Sequence, residues 1–226
     1  MPTTTILPEK QGIIVGPQAT SHGDARDATG GTAITSGQQQ QAVGYLKSSG
    51  RGGGFFRFTR AFFGFELGSF NTTITAANLI ITSAGTLNSA DIIVVPDNSE
   101  NLASGDMDTP LFSTALSSEI STWSANGSSN TIALNSSALS LMNTARQQVN
   151  DAFIIAIVEK DHDFNNLDNE SDVSLFVGID LGTNGVKLQV THADSGFGHP
   201  TIGVASANIA EIKGVATANI AEVIGV

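Results

Sequence analysis

The chain contains no cysteine. That removes a disulfide-stapled scaffold, a thiolate metal centre and a cysteine nucleophile together. Tyr45 and Trp123 are the single tyrosine and the single tryptophan, so an aromatic platform for stacking polysaccharide has little to be built from. Charge is thin as well. Only 14% of residues are charged, and 21 acidic against 10 basic residues leave a net charge of −11. An acidic chain gains nothing from counterion release on DNA or RNA and is not drawn to an anionic bilayer. Neither nucleic acid nor membrane is therefore an expected partner. Arg51, Arg57 and Arg60 lie among phenylalanines, not in a basic tract. Long apolar runs are missing too: the longest, residues 152–158, falls far short of the roughly 20 residues that span a bilayer as a helix. Residues 1–10 carry no basic segment followed by an apolar one, so no signal peptide is expected, and the product is expected to be made in a cytoplasm without Sec export.

What is present points to strands. Apolar residues make up 40% of the chain, enough for a core, and 24 glycines stand among stretches of Ser, Thr, Asn and Ala. Charged helix formers are scarce, so the balance is all-β. Residues 1–50 are sparse in apolar groups and read as an N-terminal arm with a first strand or two, at residues 13–15 and 33–35. The run Gln38-Gln39-Gln40-Gln41 reads as a polar linker or an exposed edge. Residues 55–67 carry the strongest strand signal. Phe56 and Phe58 share one face there and Phe63, Phe65 and Leu67 the other, which predicts a bulge or a change of sheet near Arg60. Further strands are expected at 72–82, 91–95, 152–159, 174–178 and 186–191. Residues 139–146 form one helix, with Asn135 or Ser136 as its N-cap. The sum is a jelly-roll-like β-sandwich over residues 51–192, with one short helix, an extended N-terminal arm and a short tail at 193–226.

That tail is a tandem repeat. Residues 203–213 (GVASANIAEIK) recur as 214–224 (GVATANIAEVI), a period of eleven. Two such units cannot bury their own apolar positions. A glycine at each boundary makes one uninterrupted helix costly, by about 1 kcal/mol per glycine. Short elements that pack on a partner are expected instead, with Val204, Ile209, Ile212, Val215, Ile220, Val223 and Ile224 as the partner-binding residues.

Few motifs carry chemistry. Residues 177–185 (VGIDLGTNG) resemble the phosphate-1 motif of the actin-like and Hsp70-like ATPases, but too little chain follows for that family's nucleotide domain. As structure, the Asn184-Gly185 pair predicts a hairpin turn. Asp161, Asp163 and Asn165 alternate as oxygen ligands for Ca²⁺ would, without the glycine at position six of an EF-hand loop. The bland alternative is a solvated acidic loop, and no other cofactor is expected. No HExxH, Gly-x-Ser-x-Gly or Walker pattern occurs. A carboxylate pair for glycoside hydrolysis leaves no mark in sequence spacing, and nothing points to one. A non-enzymatic protein is the expectation.

Two resemblances add to this. Residues 58–70 (FTRAFFGFELGSF) and 73–81 (TITAANLII), with a last strand at 186–192, resemble the DNRLRE-type β-sandwich module. Glu66 stands where that module carries Asp, and its aromatic-rich second hairpin is missing. The repeated GVAxANIAE unit resembles the C-terminal repeats of structural proteins from tailed phages. That likeness implies a virion component, such as a capsid decoration, a head fibre or a tail-associated protein. Its partners would be other virion proteins and further copies of itself, a trimer being one form. The alternative is a carbohydrate-binding, host-attachment module.

Overall fold

The phenylalanine-rich stretch forms the central strand of the protein. A computed structural model describes residues 1–50, 54–68, 70–98, 103–147, 152–168, 171–193, 211–212 and 215–216. The elements in chain order are β1 (Thr3–Ile6), β2 (Lys10–Val15), α1 (His22–Arg26), β3 (Thr32–Ile34), β4 (Gln38–Ser48), β5 (Phe55–Glu66), β6 (Ile74–Asn88) and β7 (Ile92–Pro96). They continue with β8 (Ser129–Ala133), α2 (Ser136–Ala145), β9 (Ala152–Glu159), β10 (Val173–Asp180), β11 (Val186–His192), β12 (Glu211–Ile212) and β13 (Val215–Ala216). Strands β1 to β11 form one antiparallel hydrogen-bonded system whose main path runs β1-β11-β6-β10-β4-β5-β2-β3, with β8 on β6 and β9 joining β5 to β7. The fold is all-β and sandwich-like.

β5 is buried on both faces. Its odd residues Ala61, Phe63 and Phe65 enter the main core, while its even residues Phe58 and Phe62 enter a second one. Of the bulge or change of sheet expected near Arg60, no bulge forms against β2, where the register runs unbroken from Lys10↔Gly64 to Val15↔Thr59. The neighbour changes instead: β4 pairs residues 55–59 and β9 pairs residues 61–66. Alternation thus continues across Arg60 while the strand alongside is exchanged.

The main core joins inward residues of β6, β8 and β11, such as Leu79, Ile132 and Leu188, to Phe63, Val94 and Ile155 from β5, β7 and β9. Helix α2 closes it with Ala138, Met142 and Ala145. Asn135 caps that helix, its Oδ1 accepting the Ser137 and Ala138 N–H groups at 3.0 and 3.2 Å. Each large side chain sealed here contributes about 1.5–3 kcal/mol. The second core holds Ile14, Tyr45, Phe58, Phe62, Val95 and Val158, and α1 adds Ala25 to it.

β6 serves two sets of neighbours. Residues 74–81 pair with β11, and the far half pairs with β10, where the register shifts between Val177 and Ile179. Gly178 sits at that shift, and an added Cβ would collide with the Ala84 carbonyl oxygen, so only glycine allows this approach. The hairpin expected at Asn184-Gly185 does not form. Asn184 has φ +71° and Gly185 N–H donates to Gly182 O at 2.9 Å, so there is a tight turn. The strands on either side, however, both run along β6 and do not pair with each other. The turn is an inserted loop between two collinear strands.

Residues 3–48 hold four strands and a helical turn, more than their sparse apolar pattern suggests. The Gln38–Gln41 run opens β4, which lies between β10 and β5. Its glutamines stay largely exposed, and Ala42 to Tyr45 are buried.

Candidate functional site

The densest set of polar groups lies within the second core. Glu159 ends β9, and its carboxylate accepts the N–H groups of Asp161, His162 and Asp163. These bonds satisfy three donors that a helix start leaves open. They hold residues 160–164 in a single π-type turn, closed by Asn165 N–H to Lys160 O at 3.0 Å. The turn directs Asp163 inward, where its carboxylate grips Arg60 in a two-pronged pair. Arg60 Nε donates to Oδ2 at 2.8 Å and Nη2 to Oδ1 at 2.6 Å. The guanidinium also donates to the carbonyls of Met107 and Arg26. Its carbon stands 5.1 Å from the Phe112 ring centre, and that of Arg26 4.3 Å from the same ring. Arg26 Nε in turn donates to the Asp163 carbonyl at 2.7 Å, which ties α1 to the turn.

Two histidines complete the cluster. The His162 ring stacks on Tyr45 at 4.1 Å and 13°, with Nδ1 3.3 Å from Glu159 Oε2. His22 meets Tyr45 and Phe58 edge-on at 5.8 and 5.3 Å. Burial holds the His22 imidazole below its ordinary pKa of 6.5, against the opposing pull of Asp168 and Asp163. Arg60 and Asp163 are both 0% exposed. They offer no face to a substrate, so the chemistry of the cluster is that of an internal lock.

The sequence candidates fall in different places. Asp163 is taken up by Arg60, while Asp161 Oδ1 accepts from Asn165 Nδ2 at 3.3 Å. Asp161, Asp163 and Asn165 are therefore engaged with the protein itself. Among the described residues no group of three or more His, Asp and Glu is gathered as a metal site. Val204, Ile209, Ile220, Val223 and Ile224 lie outside the described residues. Ile212 and Val215 are register partners in the backbone ladder of β12 and β13, a two-stranded sheet apart from the main strand path.

Both ends of the sandwich converge on one sheet edge. β1 pairs with β11 in the register Thr3↔Thr191 to Ile6↔Leu188, and His192 N–H donates to Pro2 O at 3.1 Å. In an antiparallel ladder bonded and non-bonded pairs alternate. The N–H and C=O groups of Thr3 and Thr5 therefore point away from β11, and no described strand takes them up.

Sequence reasoning missed the lock. One signal was legible: Arg60 alternates with phenylalanines on a strand apolar on both faces, and a charge so placed requires a buried counter-charge. Its partner, 103 residues away, was not. No family model matches the chain, and no curated protein matches it. No helix among the described residues is long and apolar enough to cross a membrane.

Proposed function

We propose that the protein is a non-enzymatic structural subunit that docks through its terminal segments onto a larger assembly. The assembly implied by the GVAxANIAE resemblance is a tailed-phage particle, in which the chain would serve as a capsid decoration, head fibre or tail-associated component. One observation carries the docking reading. β1, with outward-facing backbone groups, and the exit point of the repeat tail after β11 lie side by side at the same edge. An unpaired strand edge is a ready template for another chain. Separately, a ladder of two residues per strand is too small to be stable alone, so β12 and β13 call for cover. The sealing of Arg60 and Asp163 supports a role for that pair in holding the fold.

The test compares the full chain with one lacking residues 202–226, by sedimentation and by recovery in purified particles. The full chain is expected to self-associate or to co-purify with particles, and the shortened chain to remain a folded monomer that is lost from them. A full-length protein that stays monomeric at every concentration and is missing from particles refutes the proposal.

A further inference from the structure

At the end of the strand order opposite β1, the connection from β2 to β3 borders an open cleft of about 770 Å³. It is lined by Gln18, Thr29, Gly30 and Gly31 of that connection, by Thr32 at the start of β3 and by Arg57 of β5. Gly31 keeps this wall thin: an added Cβ would press on Ile14 Cγ2 and Val15 O at 2.6 Å each. Arg57 is half-buried. Among the described residues its Nη2 makes a long contact of 3.4 Å with Gln41 Oε1. Its Nε is shielded from solvent and has no acceptor among the described residues. No carboxylate among them lies within ion-pair range of Arg57, whereas Arg26 and Arg60 both reach Asp163. A partly desolvated guanidinium without a counter-charge among the described residues is conspicuous, since such a group is normally paired.

We propose that this cleft binds a carboxylate-bearing ligand of saccharide size, with the Arg57 guanidinium as its anchor. The paired terminal N–H donors at Nη1 and Nη2 match the two oxygens of a carboxylate in plane. Gln18, Thr29, Thr32 and the peptide groups at Gly30 and Gly31 supply donors and acceptors for hydroxyls. The lining holds no aromatic ring, so a nucleobase or a neutral sugar finds no stacking surface, and charge must provide the discrimination. The volume falls within the roughly 300–1,000 Å³ range of small-ligand sites. The proposal uses no tail residue and stands apart from the docking role.

Titration calorimetry of the full-length protein with D-glucuronate, D-glucose and acetate tests it. Glucuronate should bind measurably, and glucose and acetate at least about tenfold more weakly. Arg57→Ala should weaken glucuronate by a similar factor. Thr29→Trp, which fills the mouth from an exposed position, should do the same without altering the sheet, so a variant that fails to fold at Arg57 does not end the test. Absence of glucuronate binding overturns the proposal, as does equal binding of glucose or of Arg57→Ala. Equal binding of acetate reduces the cleft to a general anion site and overturns the saccharide assignment.

Discussion

Replacing Asp163 with alanine strands a guanidinium inside the protein. The substitution deletes both short contacts to Arg60, at 2.6 and 2.8 Å, and leaves the Met107 and Arg26 carbonyls as its remaining acceptors. At 0% exposure, Arg60 cannot reach water without opening the second core. Removing one partner of a buried pair costs about 3–5 kcal/mol. The two carbonyls and the Phe112 ring place the expectation near the lower end, at about 3 kcal/mol. For a chain of this size that lowers Tm by roughly 6–12 °C. Urea denaturation followed by circular dichroism should give the loss with an unchanged slope, because the area exposed on unfolding is the same. The double variant Arg60→Met with Asp163→Leu removes both charges and should recover most of it, since apolar replacement of a buried pair is often neutral or stabilising. An Asp163→Ala loss within about 1 kcal/mol, the scale of an exposed ion pair, would refute the lock. So would a double variant weaker than the single one.

Two other outcomes follow from the same cluster. His22 has a folded-state pKa below 6.5, so the unfolded chain binds more protons, and stability should fall as pH drops from 6.5 towards the depressed value. His22→Phe should flatten that slope in denaturation curves, and an unchanged slope would exclude His22 as its source. Asp91 acts in the opposite sense at lower pH. Burial, with Glu119 and Asp161 nearby, raises its carboxyl above 3.8, so its protonation favours the fold, and the His22 slope is best read above the carboxylate range. Finally, calcium should leave Tm unchanged, because Asp163 is committed to Arg60. A Tm that climbs with calcium concentration would reveal a site among Asp161, Asp163 and Asn165.

Much of the fold was legible because it rests on local pattern. Residues 152–159 are the β9 strand with the same bounds, and Asn135 before a run of small and apolar residues marked α2. The alternation at Val186, Leu188 and Val190 marked β11, whose three residues all enter the main core. Other features were illegible because their cause lies elsewhere in the chain. Four glutamines carry no apolar signal, yet β4 begins there since β10 pairs with Gln38 and Gln39. An Asn-Gly pair suits a hairpin, but here β6 offers one continuous edge to the strands before and after it, and the chain runs on instead of turning back.

By itself the sequence determined the all-β class, the long strand through Phe55–Glu66, the capped helix and the repeated tail. Each follows from alternation, capping chemistry or self-similarity within a short window. Only the tertiary structure decided that Arg60 is held by Asp163, that β5 changes neighbours without a bulge, that the outward groups of Thr3 and Thr5 lie beside the exit of the tail, and that Arg57 lines a cleft with no counter-charge among the described residues. These depend on which distant segments pack together. The free energy of burying a charge or pairing an edge belongs to that packing, and no local pattern encodes it.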